Sequence, residues 1–523
     1  MMNKCLHSMK IACLRMMVIV TLLFSASGCN DFFDVDSRHA ASEEQQWQTM
    51  EDTRAALMGV YGLMRAALAD NNTHWVCGEL RGGDFTVVER ADLQAVVDNN
   101  LSLNIGLVEE VADWRRFYAV INAAAVFMEN ASQVVENDQA YSELNLQYDL
   151  AQAHALRALA YFYMVRIWGD VPLITYSYDD GSFPEAGRTD AQDVLAYVKE
   201  ELVNAMDDIP YLFGTDNNLY YQEDDSEWQG VLLNKLSVAA ILAHVSMLMG
   251  NYSDAETYAT FVLENYTEIG ITEARKIVPV DVLVSSTGFF LGSNTTYAPN
   301  RLVAFNFLDA SSETTQEGHL EQWTLADPYV QKTAPEIYVT ADTLFKAFDD
   351  TGDQRFGIDT TTVQYNNVYV DMTSSRPLFK KICVVQDGSD DTNDYAVFGS
   401  TLVFTRIEEL ILLRAEALVM ENRAVEALLD LNEMRSERGL TQLSYVKDLD
   451  SDKNKLIDAI FAERRRELMG EGWRWYDLIR RQKLLQDDSD FLQFIKEGGE
   501  YWPIAQSVLK ANPNITQNKY WSN

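Results

Sequence analysis

The chain has 523 residues, of which 79 are acidic and 42 basic, for a formal charge of −37; that surplus argues against a nucleic-acid binder, which needs a basic surface to displace phosphate counterions. Apolar residues make up 47% and charged residues 23%, which excludes a largely disordered chain. Proline is scarce, at 10 residues, while alanine, leucine, glutamate and arginine cluster in long runs, so the expected fold is mainly α.

Residues 1–28 read as a signal peptide. Lys4, Lys10 and Arg15 precede the apolar run Met16–Phe24, and Ser25-Ala26-Ser27-Gly28 lead to Cys29, the charge, apolar, small-residue order of a secretory signal. The run is too short to span a bilayer. Gly28-Cys29 also resembles a bacterial lipoprotein processing site, which makes Cys29 the expected lipidated residue and 29–45 an extended tether to the membrane. Cys5 and Cys13 leave with the signal and Cys29 is taken by the lipid, so only Cys77 and Cys383 remain free. They cannot build a disulfide framework or a zinc site and read as buried thiols, with a single disulfide between them possible.

An N-terminal helical scaffold is expected over 46–276. Ala55, Met58, Tyr61 and Leu63 form one helical stripe, and Val111, Trp114, Phe117 and Ile121 another. Between them, 70–104 mixes turn formers with polar and aromatic groups, notably Asn71-Asn72, Trp75, Arg81-Gly82-Gly83-Asp84 and Asp98-Asn99-Asn100, and reads as a binding loop. A third helix runs from about Leu146 to Trp168 and is stopped by Gly169-Asp170-Val171-Pro172. Two apolar helical runs around Gly250-Asn251-Tyr252-Ser253-Asp254-Ala255 resemble the turn and second helix of a tetratricopeptide repeat. A second such pair is legible from Phe404 to Arg438, broken at Glu421-Asn422-Arg423. One pair cannot bury its own apolar face, so several must stack into a tetratricopeptide-like scaffold.

Between the two pairs, 277–403 changes to threonine, asparagine, valine, tyrosine and glycine with short alternating runs. So long an irregular insertion exceeds what connection requires, and ligand binding is expected partly there. A C-terminal helical region, 404–523, completes the chain.

That last region carries a resemblance. Glu463-Arg464-Arg465-Arg466-Glu467-Leu468, Glu471-Gly472, Arg474-Trp475, Asp477-Leu478 and Arg480, followed by Tyr501-Trp502-Pro503-Ile504 and Ala511 to Asn518, look like the C-terminal signature of the SusD/RagB family. Leu156-Arg157-Ala158, Gly169 to Pro172, Leu413 to Ala417, Asn432 with Arg435 to Leu440, and the start at Cys29-Asn30-Asp31-Phe32-Phe33 fall in the family's order. The resemblance implies a lipoprotein anchored on the outer membrane and facing the exterior, which captures glycans for a SusC-like TonB-dependent transporter. Gln152 stands where the family usually has glutamate, which puts an ion pair with Arg157 in question.

The charged C-terminal run reads as structure. Ile457, Ile460, Phe461, Arg464 and Leu468 lie on one helix face, so Arg464 is expected in an apolar stripe, held by a carboxylate from a neighbouring helix. No nucleophile turn, phosphate loop or zinc-protease motif is present, the six histidines are scattered singly, and neither an enzyme nor a cofactor is expected. Asp387 to Asp394 alternates oxygen side chains as a calcium loop does, but Thr392 and Phe398 stand where such a loop needs glycine and glutamate, so no metal is assigned. A neutral glycan needs flat rings flanked by hydrogen-bonding groups. Trp75, Arg81, Asp84, Asp98, Asn99 and Asn100 offer this in the first loop, and Tyr297, Asn300, Trp323 and Tyr329 in the insertion. The alternatives are a helical-repeat lipoprotein that binds protein or peptide, and a lipid-anchored glycoside hydrolase.

Overall fold

The computed structural model describes residues 46–103, 105–178, 185–215, 219–223, 228–308, 313–359, 364–387 and 396–522. The signal, Cys29 and the tether lie outside them, as does the acidic run at 388–394. Helices of twelve residues or more among the described residues are α1 Met50–Ala69, α2 Arg115–Asn130, α3 Glu143–Trp168, α4 Ala191–Asp208, α5 Lys235–Leu248, α6 Tyr252–Asn265, α7 Ile407–Met420, α8 Ala424–Glu437, α9 Lys453–Leu468 and α10 Arg474–Leu485. The fold is mainly helical, as composition leads one to expect.

Helix starts follow from side chains that accept the first free backbone N–H groups. Thr49 and Asp52 form a capping box at α1, Asn234 and Ser237 another at α5, and Ser142, Asp190, Asn251 and Asp452 cap α3, α4, α6 and α9. Gly169 ends α3 where the sequence places the stop. The turn between α5 and α6 holds Gly250 at φ +75°, a conformation that costs glycine little and other residues much. Ala255 is buried beside it, as a close helix pair requires.

Consecutive helices pack on one another from α1 through α8, and α9 folds back onto α7. This is the stacking of helix pairs expected of a repeat scaffold. α3 and α5 are apolar around most of their circumference and accordingly buried almost throughout, from Ala151 to Trp168 and from Leu236 to Met247. α5 to α9 share one apolar core that includes Leu236, Ala240, Ala259, Leu410, Leu431 and Ile460. Each large side chain buried there contributes about 1.5–3 kcal/mol. Gln152, where a glutamate was expected, hydrogen-bonds Tyr61 and Tyr220, while Arg157 pairs with Glu201 of α4 at 2.5 Å.

The strands are short and antiparallel, paired two by two. Thr86–Val87 pairs with Ile337–Tyr338, and Val303–Phe305 with Leu402–Thr405; the remaining pairs fall within 356–398. Helices, strands and sites described below belong to the compact unit Thr49–Asn523. No described helix is long and apolar enough to cross a membrane. Cys77 and Cys383 are both free thiols, the first buried and the second half-buried.

Candidate functional site

Burial removes half of the expected ligand-binding residues from any contact surface. Trp75 and Trp323 are core residues, packed edge to face with ring centroids 5.8 Å apart and with Phe85 5.1 Å from Trp75. Arg81 is buried, donates to the carbonyls of Gly499 and Glu500 at 2.7 Å and to Asn99 Oδ1 at 2.8 Å, and lies over the Trp475 ring. Asp84 is buried in ion pairs with Arg465 and Arg474. Asn300 is buried and donates to the carbonyls of Arg275 and Lys276.

The cause is long-range. The stretch 70–104 contains the short helices Thr73–Gly78 and Ala91–Val97 and is clamped by the C-terminal motif. Glu79 accepts the backbone N–H groups of Gly470, Gly472 and Trp473, and Gly78 sits so close that a Cβ there would meet the Gly472 carbonyl oxygen at 1.8 Å. Turn formers signal a change of direction, not exposure, and the aromatic groups between them fill the seam. Of the other expected residues, Asp98 and Asn100 are exposed at the turn after Ala91–Val97, and Asn99 is half-buried and tied to Arg81. Tyr297 is half-buried, with its backbone N–H held by Asn294, and Tyr329 is half-buried with its hydroxyl donating to Asp371 at 3.0 Å. Asp98, Asn99 and Asn100 share one turn, whereas Tyr297 and Tyr329 are held separately by Asn294 and Asp371.

The insertion instead forms an open groove of about 720 Å³ against the end of α8, lined by Pro279, Val280, Asp281, Val284, Gln354, Val368, Lys380, Ser436 and Glu437. Its backbone explains its composition. The Gln354 N–H donates to the Arg438 carbonyl, the Tyr369 N–H to Arg355, and the Lys380 N–H to Tyr369, so the bends at 354–355 and 368–369 and the segment at 380–381 lie side by side against the end of α8. Gln354, Val368, Lys380 and Glu437 face the groove, while their next neighbours Arg355, Tyr369, Lys381 and Arg438 are buried behind it.

Those buried neighbours join an ionic network. Glu467 of α9 pairs with Arg355, Arg406 and Arg438 at 2.8–3.0 Å, Arg355 also reaches Asp353 and Glu463, and Glu471 pairs with Arg406 and Lys381. Burial alone would raise the Glu467 carboxyl, but Arg438, Arg406 and Arg355 outweigh it and hold it well below the usual carboxylate range. Arg464, expected to be structural, is fully buried and held by Glu409 of α7 and Asp477 of α10. The network fixes the backbone from which the groove's side chains project.

Chemically the groove offers a carboxylate from each of Asp281 and Glu437, the Gln354 amide, the Ser436 hydroxyl and the Lys380 ammonium, set among Pro279, Val280, Val284 and Val368. The Tyr329 ring, which packs with Leu325, Val330 and Phe398, lies 6.0 Å from the Lys380 ammonium. Such a surface takes hydroxyl groups and short apolar faces together. Three carboxyls elsewhere are raised to about 7 by burial, Glu79, Asp149 and Glu321, the range in which an acid catalyst works. All three are buried and already bonded: Asp149 to the hydroxyls of Tyr141, Tyr220 and Tyr221, and Glu321 to Val384 N–H and Ser400. They serve the core. Among the described residues no group of three His, Cys, Asp or Glu is placed to hold a metal ion.

Comparison with known proteins places the chain. Residues 349–521 match the model of the SusD family. The chain is similar to a SusD superfamily protein of Bacteroides thetaiotaomicron VPI-5482, with 54% identity and a TM-score of 0.84 over 91% of this chain and 100% of that one. It is 26% identical to SusD-like protein P38 of Formosa agariphila over 96% of this chain and 97% of the relative. A laminarin-binding SusD-like protein shares the fold, with 20% identity and a TM-score of 0.67 over 90% of this chain and 99% of that one.

Proposed function

The chain belongs to the SusD family, and on that premise we propose that it is a non-catalytic lipoprotein of the outer membrane, anchored through Cys29 and facing the exterior, that captures oligo- or polysaccharide and delivers it to a SusC-like TonB-dependent transporter. The observation that carries the reading is the likeness over the full length of a SusD superfamily structure at 54% identity. The groove supports it with the mixture of carboxylate, amide, hydroxyl and apolar groups that sugars need. Among relatives of this fold is a protein that binds laminarin.

The test is a thermal-shift and calorimetric screen of the purified protein against neutral and acidic glycans, laminarin included. A ligand of the native state raises the melting temperature, and that rise should vanish in a Gln354→Ala, Lys380→Ala double variant that melts normally. A binding glycan whose effect survives in the double variant would place the site elsewhere. Silence across the whole panel would overturn glycan capture. For the anchor, Cys29→Ala should release the protein from the membrane fraction.

A protein ligand is the second reading, favoured by one feature. Val425 and Leu429, one turn apart on α8, are 68% and 65% exposed. Apolar side chains so placed suit a protein surface.

A further inference from the structure

The scaffold contains a second concavity that shares no residue with the groove. A cavity of about 250 Å³ lies between α3, α5 and α10. Gln192, Gly250 and Lys483 are exposed at its rim, whereas Phe162, Arg166, His244, Trp473 and Tyr476 are buried at its base. Most of the wall is apolar.

Arg166 sets this cavity apart. It is 7% exposed, and among the described residues its three guanidinium nitrogens have no carboxylate partner and no well-aligned acceptor, with the neutral Tyr476 hydroxyl beside them. Five rings surround it, those of Phe162, Tyr163, Phe404, Trp473 and Tyr476, and its Cζ lies 3.7 Å from the centroid of Tyr476. Stacking of this kind stabilises the cation, but it supplies no counter-charge. Burial pushes the Tyr476 hydroxyl up to about 12 against the easing effect of Arg166, so it supplies no negative charge near neutral pH. The contrast within the same molecule is sharp: Arg355, Arg406, Arg438 and Arg464 are equally buried, and each holds at least one carboxylate. Arg480, the other guanidinium on the wall, is engaged by Glu416 and Asp477. A buried cation without a counter-charge is costly, and this one lines a space that is open at its rim.

The geometry points to a binding site for a small organic monocarboxylate, whose carboxylate pairs with Arg166 while its apolar body lies against Phe162, Leu195, Met247 and Ile479. Lys483 at the rim is paired at 3.7 Å with Glu500, a carboxylate that also lines the cavity, so Arg166 is the cation left for the ligand. The site is separate from the proposed glycan surface and stands whether or not that reading holds.

Calorimetric titration of the purified protein with phenylacetate, phenylacetamide and D-glucuronate tests it. Phenylacetate should bind saturably and raise the melting temperature, and phenylacetamide, which has the same shape without the charge, should bind weaker by about tenfold or more. Arg166→Met keeps the apolar stem and should melt no lower than the wild type while losing phenylacetate binding. If that variant fails to fold, the acid and amide compared on the wild type still decide the question. Equal affinity for acid and amide, no saturable binding of either acid, or unchanged phenylacetate binding in Arg166→Met overturns the site. A preference for glucuronate over phenylacetate overturns the apolar body and reassigns the cavity to a sugar acid.

Discussion

The groove and the ionic network behind it are built from the same few segments, one residue apart. Gln354, Lys380 and Glu437 face solvent; Arg355, Lys381 and Arg438 face Glu467 and Glu471. The switch from outward to inward falls at bends of the chain and at the end of α8, and it divides labour between adjacent positions. The inward charges are desolvated and retained by mutual pairing, so removing one strands the others. The outward groups are hydrated, so removing one costs the fold little and takes a contact from a ligand. Charge in this sequence is therefore no guide to function until its burial is known.

The strongest way to break the comparison is Glu467→Gln. It preserves shape and leaves Arg355, Arg406 and Arg438 short of their shared carboxylate, a loss of about 3–5 kcal/mol by the usual cost of breaking a buried pair. Chemical denaturation should show it as a lower midpoint with an unchanged slope. The network also sets an acid dependence. The Glu467 carboxyl lies well below its ordinary value of 4.5 in the folded protein, so between that ordinary value and the depressed one the unfolded chain binds more protons. Its contribution is full above pH 4.5 and is lost as the pH falls through the depressed range. The gap between wild type and Glu467→Gln should hence be constant near neutrality and close in acid. A gap that widens in acid would contradict the assignment.

Trp323→Ala comes next, at about 3 kcal/mol or more for emptying a packed aromatic site. It sharpens the comparison because Trp323 was expected to meet a ligand and is instead packed on Trp75. The folded variant should bind any glycan as tightly as the wild type, measured by calorimetry well below its lowered melting temperature. Weakened binding by a variant that remains folded would return the aromatic cluster to the ligand surface.

What the sequence made legible was local. The apolar periodicity of α5 to α8, the break at Gly250, the stop at Gly169 and the inward face of α9 with Arg464 all depend on residues within a turn or two, and the helices stand where those signals put them. Trp75, Arg81 and Asp84 were misread because their partners, Trp323, Glu500 and Arg465, lie hundreds of residues away, and no local pattern announces a seam closed by the far end of the chain. Gln354, Lys380 and Glu437 were missed for the converse reason. Each stands beside a basic residue, but which of the two turns inward depends on where Glu467 and Glu471 sit in the fold. Because these pairs sit at bends and at a helix end rather than along strands, no periodicity marks which member faces outward.

The smallest effect on stability should come from the groove itself. Gln354→Ala and Lys380→Ala, each on exposed or half-buried side chains, should leave the melting midpoint within about 0.5 kcal/mol of the wild type. A hydrogen bond to a ligand contributes about 0.5–1.5 kcal/mol net, so each variant should weaken the glycan that the screen identifies by about two- to tenfold. The double variant should lose close to the product of the two, since the side chains project from separate segments and share no partner in the structure. The outcome bears on the network as well. If Gln354→Ala destabilised the protein as much as Glu467→Gln, the one-residue division between scaffold and surface would fail, and the groove would be a rim of the core rather than a place for a ligand.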